Sequence, residues 1–500
     1  VSDDLRQVRL EKLERLRAQG VHPWPERYAK THSIAQAREL PQLTEGVKIA
    51  GRVVANRPAG KLVFFEIRDI DAKIQIALNA KKAGEAEVKK FVDHVDLGDF
   101  VGVEGTIEKT RAGEQTLWAT KWTFLGKALR PLPDKWHGQT NIELNWRYRY
   151  LDLIANEDSR ARFRLRTRLV KAIRRSLEGE GFEEVETPVL ITHPSGANAR
   201  PFISHHNSLD MEVYLRIAPE TYLKRCIVAG YDKVYEFARC FRNEGMDPSH
   251  LQDFTMLEWY AAYWNYQDNM DFTEKMVKAA LQECLGTLKI NRGGKTIDFA
   301  GAWPRLRLRD LILEKSGIDI DQFPDAASLR AAIIARRVDL ENPGAGRGSL
   351  IDQLYKRTAR PHLINPCFVV RHPKDLSPLA RSSDDDPKTV DRFQLVVDTW
   401  EVVNAYSELV DPIDQRARLE DQAKQHAAGD EEAMGEDEDY LLAMEHGMPP
   451  ISGFGMGIDR FCALLSDAPN LRDVVLFPLM RPHTGPVPTP EAPPSEAPGK

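Results

Sequence analysis

The chain contains no G-x-x-x-x-G-K-[ST] stretch and no G-x-G-x-x-G stretch, so the two commonest phosphate-cradling loops are missing. Its five cysteines (Cys226, Cys240, Cys284, Cys367 and Cys462) lie far apart with no C-x-x-C pair. That excludes a disulfide framework and argues against a structural zinc site, and it reads as reduced, buried thiols of a cytoplasmic protein. No run of about 18 apolar residues exists to span a membrane. The opening VSDDLRQVRLEKLERLRAQG is highly charged and lacks an apolar core segment, so no secretory signal is expected. A net charge of −6 gives no support by itself to nucleic-acid binding, which leaves local patches to decide the matter.

What is present is the composition of a soluble globular protein, with 42% hydrophobic and 29% charged residues among 500. That length is too great for one core and predicts two or three domains. Residues 5 to 19 carry Leu5, Val8, Leu10, Leu13 and Leu16 on roughly one helical face, stopped by Gly20, Pro23 and Pro25. From Gly46 the pattern changes to alternation. Five short strands (VKIAGRVVANR, KLVFFEIRD, KIQIALNA, DFVGVEGTIEKT and LWATKWTFLGKA), with a helical AEVKKFVDHV after the third, predict a small Greek-key barrel of the OB type. Such barrels stack single-stranded bases on aromatic rings beside basic groups. Arg57, Phe64 and Gln75 are the candidates, and the alternation of Phe64 with Phe65 places one ring inside and one outside.

Pro131 to Pro133 form a stiff connector that marks a boundary near residue 130. Ser159 to Gly179 reads as a long helix rich in arginine (Arg160, Arg162, Arg164, Arg166, Arg168, Arg174 and Arg175). A solvated face is the plain reading, with part of the run serving a subunit contact. The acidic run Asp430 to Asp439 reads as a solvated loop, and the proline-rich tail from Arg481 as disordered. Residues 285 to 390 mix short helices with loops and read as an insertion.

The most informative stretch is Phe241 to Tyr260, FRNEGMDPSHLQDFTMLEWY. Aromatic and apolar flanks around a turn-rich loop predict two strands joined by a long hairpin. The loop offers Arg242 to grip a phosphate, Glu244 to read an amine edge and His250, with Phe254 placed to hold a flat ring. Near the other end, GFGMGIDRF from Gly453 to Phe461 reads as a glycine-lined strand that lets a ligand approach its backbone, followed by a helix starting near Asp459. Arg460 projects from the first turn of that helix. Two arginines beside two ligand-shaped backbones suggest a triphosphate held at both ends.

These two stretches resemble motifs 2 and 3 of the class II aminoacyl-tRNA synthetases, and GFEEVETPVL (Gly181 to Leu190) resembles motif 1. RPLPDKWHG, RYRYLDLI, ARPFISHHN, LRIAPETYLKR, LSPLAR and EHGMPPISGFGMGIDR are similar to segments of the lysyl-tRNA synthetases, in that family's order. The resemblance implies an α+β multidomain protein, an N-terminal OB-type β-barrel followed by a class II catalytic domain with an antiparallel sheet flanked by helices. Its parts would be an N-terminal helical extension (1–45), an anticodon-binding barrel (46–130), a hinge (131–155), the catalytic domain (156–484, with the insertion at about 285–390) and a tail (485–500). It implies attachment of L-lysine to tRNA(Lys) through a lysyl-adenylate, in a cytoplasmic homodimer with no membrane association. Arg242, His250 and Arg460 would carry the chemistry. Arg242, Glu244, His250, Phe254, Glu401 and Arg460 would bind ATP, with up to three Mg²⁺ ions held by Glu401 and, less securely, Gln394. Gly196, Glu220, Glu258, Tyr260, Asn404 and Glu408 would form the lysine pocket, and Arg57, Phe64 and Gln75 would meet the anticodon.

The chain departs from that family at several points. Gln394 stands where lysyl enzymes normally carry a carboxylate, Asp398-Thr399 where Gly-Gly is usual, Asp253 for glutamate, and Ala405-Tyr406 for Gly-Phe. Gln394 is the feature that keeps open a tRNA-binding relative with impaired catalysis. An aspartyl- or asparaginyl-type enzyme shares the barrel and motifs but would need Arg, Lys or His where this chain has Glu220 and Glu408. A lysine-attaching enzyme that modifies a protein would lack the barrel.

Overall fold

The computed structural model describes residues 2–132, 142–194, 196–197, 199–427 and 437–482. Most of the acidic run and nearly all of the proline-rich tail therefore lie outside the described residues. The chain divides into two compact units, residues 1–160 with the stretch from Arg481, and residues 161–480.

In the first unit, strands Val47–Ala59, Leu62–Arg68, Lys73–Asn79, Gln115–Gly126 and Phe100–Lys109 close into a barrel in that order around the sheet. The helix after the third strand is present as Glu85–His94. Alternation does what the sequence pattern predicts: Val63, Phe65 and Ile67 are buried while Leu62, Phe64 and Glu66 face outward. The N-terminal segment is part of this core. Leu16, Ile34 and Ala37 pack into the same cluster as Val47, Phe65 and Trp122. Leu5 and Val8 stay exposed, so the helix Ser2–Ala18 buries a narrower stripe than its leucine pattern suggests. The expected hinge at 131–155 carries two short helices, Ile142–Arg147 and Arg149–Ala155, grouped with the barrel's unit.

The second unit is built on an eight-stranded sheet. Its strands run Arg305–Arg307, Cys367–Pro373, Thr389–Val397, Trp400–Ser407, Ile451–Gly457, Asp253–Ala262, Lys233–Phe241 and Glu183–Glu184 in spatial order. All pairings are antiparallel except the two at the edges, which are parallel. The segment 285–390, read from the sequence as an insertion, supplies two of these strands. Its helical middle forms a second cluster, in which Leu308, Ile312, Leu350 and Leu354 pack with Cys367, Val369 and Val396 of the sheet. The three-residue strand Arg305–Arg307 is too short for its alternation to show in sequence.

One face of the sheet is covered by the helices Glu157–Gly179, Tyr266–Leu285 and Ile458–Leu465, which contribute Leu169, Ile173, Val277, Leu281 and Phe461 to the main core. Leu257, Trp259, Val403, Ala405, Phe454 and Met456 point into it from the central strands. Trp259 stacks on Phe454 with ring centroids 3.4 Å apart, and its indole donates to Asn269 at 2.8 Å. The arginines of the Glu157–Gly179 helix are not simply solvated: Arg166 pairs with Asp459, Arg174 with Glu184 and Arg175 with Glu283.

The barrel gives a direct test of the inside–outside assignment. Phe65→Ala should destabilise the barrel by about 3–5 kcal/mol, as for a fully buried aromatic, whereas Phe64→Ala should cost less than half as much. Hydrogen exchange of the barrel strands in the full chain measures both.

Candidate functional site

The residues that alternate with the core residues line a cavity on the other face of the sheet. Asp253–Ala262 sends Phe254, Met256, Glu258 and Tyr260 there, Trp400–Ser407 sends Asn404 and Tyr406, and Ile451–Gly457 sends its three glycines. The cavity is roughly 410 Å³ and is also lined by Gly196, Glu220, Arg242, Glu244, His250, Arg392, Glu401, Glu408 and Arg460. Every catalytic, nucleotide and amino-acid residue expected from the sequence therefore borders one cavity, and Gln394 adjoins it through Glu401.

The two glycine positions are there for space. A Cβ at Gly453 would overlap the carboxylate of Glu408 and the ring of Tyr260. At Gly196 (φ 89°) it would lie 2.9 Å from the Cβ of Glu220. No L side chain fits either place without moving the pocket wall.

One end of the cavity is cationic. Arg242 follows the strand Lys233–Phe241, and its guanidinium sits 5.2 Å from the centroid of Phe254. Its Nε is buried with no hydrogen-bond partner among the described residues. Arg460, in the first turn of Ile458–Leu465, donates to the Glu401 carbonyl oxygen at 2.9 Å. Its pKa is lowered, by burial first and by the like charge of Arg242, against the pull of Glu401. Holding two guanidinium groups near each other is costly unless an anion lies between them. Asp459 fixes the geometry beneath, accepting from the Thr255 amide at 2.7 Å and from Arg166. His250 is exposed at the loop, held by Asp247 at 2.7 Å. Partial burial works against ionisation of Asp247, but hydrogen bonds from His250 and Ser249 hold its carboxyl down to about 2. Glu244 is exposed at the loop tip.

A second group of cavity residues is anionic and almost dry. Glu220, Glu258 and Glu408 are all at most 5% exposed. Tyr260 donates to Glu258 at 3.3 Å and Tyr406 to Glu220 at 2.9 Å. The carboxyl of Glu258 is pushed well up by burial and by the charge of Glu220. That of Glu408 is raised to about 8, again by burial first, with a buried lysine opposing the shift. Beside Arg460, Gln394 donates to a Glu401 carboxylate oxygen at 2.7 Å. Asn404 accepts from Arg392 at 2.7 Å.

Four contributors were not singled out from the sequence. Arg392 lines the cavity and ties Asn404 to the Leu376–Ser377 segment. Tyr406 appeared only as a departure from Gly-Phe, although it holds Glu220. Ser377 to Ala380 form part of the wall. Lys224 lies behind it, four residues after Glu220 on the helix Glu220–Val228, and that ion-pair spacing was the available signal. In the other unit, Arg57 and Phe64 are cross-strand partners on the barrel's outer face. Gln75 donates to Glu114 at 3.0 Å and accepts from Thr116 at 2.9 Å.

Two known families match the chain. The family described as tRNA synthetases class II (D, K and N) matches residues 141–481, and the OB-fold nucleic acid binding domain matches residues 47–125. The chain is 45% identical over 483 residues to a lysine–tRNA ligase of Carboxydothermus hydrogenoformans, covering 96% of this chain and 99% of that one. Relatives of the same description from Enterococcus faecalis and Thermosynechococcus vestitus are each 44% identical, covering 95% and 96% of this chain and 97% of each relative.

If the guanidinium pair is an anion site, inorganic triphosphate should bind the full-length protein and lose about 10- to 100-fold in affinity in Arg242→Ala or Arg460→Ala, the worth of one charged hydrogen-bonding group. Calorimetric titration checks this, with Glu244→Gln as the variant expected to bind as the parent does.

Proposed function

Because the chain belongs to the class II tRNA synthetases, we propose that it attaches L-lysine to tRNA(Lys) through a lysyl-adenylate, with each group described above in a definite role. The observation that carries the lysine assignment is the buried carboxylate end of the cavity, with Glu220 and Glu408 facing the position of a side-chain ammonium. An aspartate or asparagine substrate would meet charge of the wrong sign, or an unpaired carboxylate, at that end.

In the first half-reaction the lysine carboxylate attacks the α-phosphorus of ATP, and pyrophosphate leaves from the opposite side. The protein contributes positioning and charge rather than a covalent intermediate. Arg242 bridges the lysine carboxylate and the α-phosphate, holding the reacting oxygen and phosphorus together. Arg460 takes the γ-phosphate, and His250, fixed by Asp247, assists on the phosphate side. Phe254 offers one face to the adenine, and Glu244 its carboxylate to the amino edge. Glu258 and Gly196 border the α-amino group, Glu220, Glu408 and Tyr260 the ε-ammonium. Asn404, oriented by Arg392, lies by the substrate carboxylate or ribose. In the second half-reaction a terminal hydroxyl of the tRNA ribose attacks the mixed anhydride carbonyl and AMP departs.

A Mg²⁺ ion bound with the nucleotide would neutralise phosphate oxygens. No cluster of three or more His, Cys, Asp or Glu side chains suited to a metal occurs among the described residues. Glu401 with the Gln394 amide fits an ion that keeps most of its ligands as water and phosphate, as Mg²⁺ does. The proposed assembly is a homodimer through motif 1, consistent with the prevalence of two-fold symmetry among soluble enzymes. On the barrel, Phe64 stacks an anticodon base, with Arg57 and Gln75 beside it. These substrates place the protein in the cytoplasm. Among the described residues no helix is long and apolar enough to cross a membrane.

Lysine-dependent exchange of pyrophosphate into ATP, run against all twenty amino acids, tests the assignment. Lysine alone should give strong exchange, and Arg242→Ala should lower it by a hundredfold or more, roughly 3 kcal/mol of transition-state stabilisation. Exchange with another amino acid in place of lysine would reject the reading. Gln394→Glu should lower the Mg²⁺ concentration for half-maximal exchange, because it replaces a donor to Glu401 by a second carboxylate, while Glu401→Gln should nearly abolish exchange. Phe64→Ala should weaken tRNA binding by about 1–3 kcal/mol, the worth of one stacked base, and leave adenylate formation unchanged.

A further inference from the structure

The side chain of Lys224 is fully buried, yet it does not line the cavity. Its Nζ lies 2.6 Å from Oε1 of Glu220 and 2.5 Å from Oε2 of Glu408. Three tyrosine rings surround it, those of Tyr260, Tyr406 and Tyr440, with centroids 5.7, 5.9 and 5.7 Å from Nζ. Both of its carboxylate partners border the cavity from inside, so the ammonium bridges the two pocket glutamates from behind. Glu408 Oε1 has no hydrogen-bond partner among the described residues. It faces the bare backbone of Gly453, where a Cβ would overlap it.

We infer that Lys224 is a positioning residue for amino-acid specificity, a built-in counter-ion that holds Glu220 and Glu408 together and leaves the inner pocket one uncompensated negative charge for the substrate's side-chain ammonium. The inference rests on the lysine reading above. With Glu220 and Glu408 both ionised, these two carboxylates and one ammonium sum to a single negative charge. A monocationic side chain brings the enclosed end to neutrality. A neutral side chain of the same length leaves a carboxylate buried and unpaired, the costly case.

The counter-ion also decides which proton equilibria matter. Two buried carboxylates facing one site cannot both stay ionised without a cation, and one would take up a proton. The groups facing Lys224 are Glu220 on its own helix, Glu408 after the strand Trp400–Ser407, Tyr406 within that strand, Tyr260 on Asp253–Ala262 and Tyr440 on Glu438–Glu445. Burial pushes all three phenols up, so they stay neutral through the working range. Glu408 is therefore the group of this set that titrates in the working range. Burial raises Glu408 to about 8 and Lys224 opposes the rise. Removing Lys224 moves that carboxyl further up, so protons compete with the substrate ammonium over a wider range of pH.

The test uses the full-length protein and L-lysine, by calorimetric titration from pH 5.5 to pH 9 and by pyrophosphate exchange over the same range. For the parent, lysine affinity should fall on the acid side. In Lys224→Met that acid limb should move up by about one pH unit or more, as expected on losing an adjacent opposite charge. At neutral pH the KM for lysine should rise by roughly tenfold or more with kcat little changed, the split expected when ground-state and transition-state binding are lost together. The double variant Lys224→Met/Glu408→Gln, with a single carboxylate and no competing pair, should bring the limb back toward the parent's position. A Lys224→Met protein with the parent's pH limb overturns the inference. Should Lys224→Met not fold, Glu408→Gln decides: it keeps Lys224 and cancels the net charge, so lysine binding should be lost across the whole pH range while methionine binding improves, and retained lysine binding overturns the inference. Failure of the parent to activate lysine at all would reject the lysine reading itself.

Discussion

A β-strand sends alternate side chains to opposite faces, and in the three central strands of the large sheet that alternation divides the protein's work. Leu257, Trp259, Val403, Ala405, Phe454 and Met456 belong to the core. Their neighbours Glu258, Tyr260, Asn404, Tyr406, Gly453 and Gly455 belong to the cavity. A register slip of one residue would exchange the two sets, driving glutamates into the core and tryptophan into the ligand. The stacked pair Trp259–Phe454 and the Trp259–Asn269 hydrogen bond oppose such a slip from the buried side. Asn269 also donates to Ser452 Oγ and the Gly453 carbonyl oxygen, so the helix Tyr266–Leu285 fixes the glycine strand that forms the cavity floor. The site is rigid because the core behind it is.

That rigidity matters because the cavity holds unbalanced charge. Arg242 and Arg460 repel each other at one end, and Glu220, Glu258 and Glu408 crowd together at the other. Neither group would persist on mobile loops, where the side chains would turn out to water. Asp459 illustrates how the frame resists: its two oxygens hold the Thr255 amide and Arg166, locking the helix that carries Arg460 to the strand that carries Phe254. A ligand of complementary charge would relieve the like-charge contacts that Lys224 does not already offset, which is electrostatic preorganisation in structural form.

Much of this was legible in the sequence where chemistry and spacing coincide. The barrel's strands, the inside–outside pair Phe65 and Phe64, the hairpin around Arg242 and the glycine-lined strand before Arg460 all announce themselves by period and composition. What stayed hidden depends on contacts between distant segments. Lys224, followed by Arg225, reads as part of an ordinary basic helix face, and nothing local says that Glu408 meets it. Tyr406 reaches Glu220 across 186 positions of sequence. The edge strand Arg305–Arg307 and its inner neighbour Cys367–Pro373 escaped because three residues carry no period, and the longer one is a nearly continuous buried run in a segment otherwise helical. Arg392 sat in a strand whose alternation was visible, but its partner Ser377 belongs to a loop that sequence alone could not place beside it.

The two charged ends acquire their meaning together. Lysine carries a carboxylate at one end and an ammonium on a four-carbon stem at the other, and in the proposed binding mode Arg242 would meet the first and Glu220 with Glu408 the second. A shorter cation whose carboxylate met Arg242 would leave its ammonium short of Glu408. One whose ammonium met Glu408 would leave its carboxylate short of the guanidinium. On the proposed lysine reading, length would be read by two charges rather than by apolar contact. Apolar contact alone discriminates a single methylene by only about 1–3 kcal/mol. A buried ion left unpaired costs more, about 3–5 kcal/mol when one partner of a buried pair is removed. Keeping water out of such a pocket works against ionisation of its glutamates, and Lys224, which opposes the burial-driven rise at Glu408, is what reconciles the two conditions.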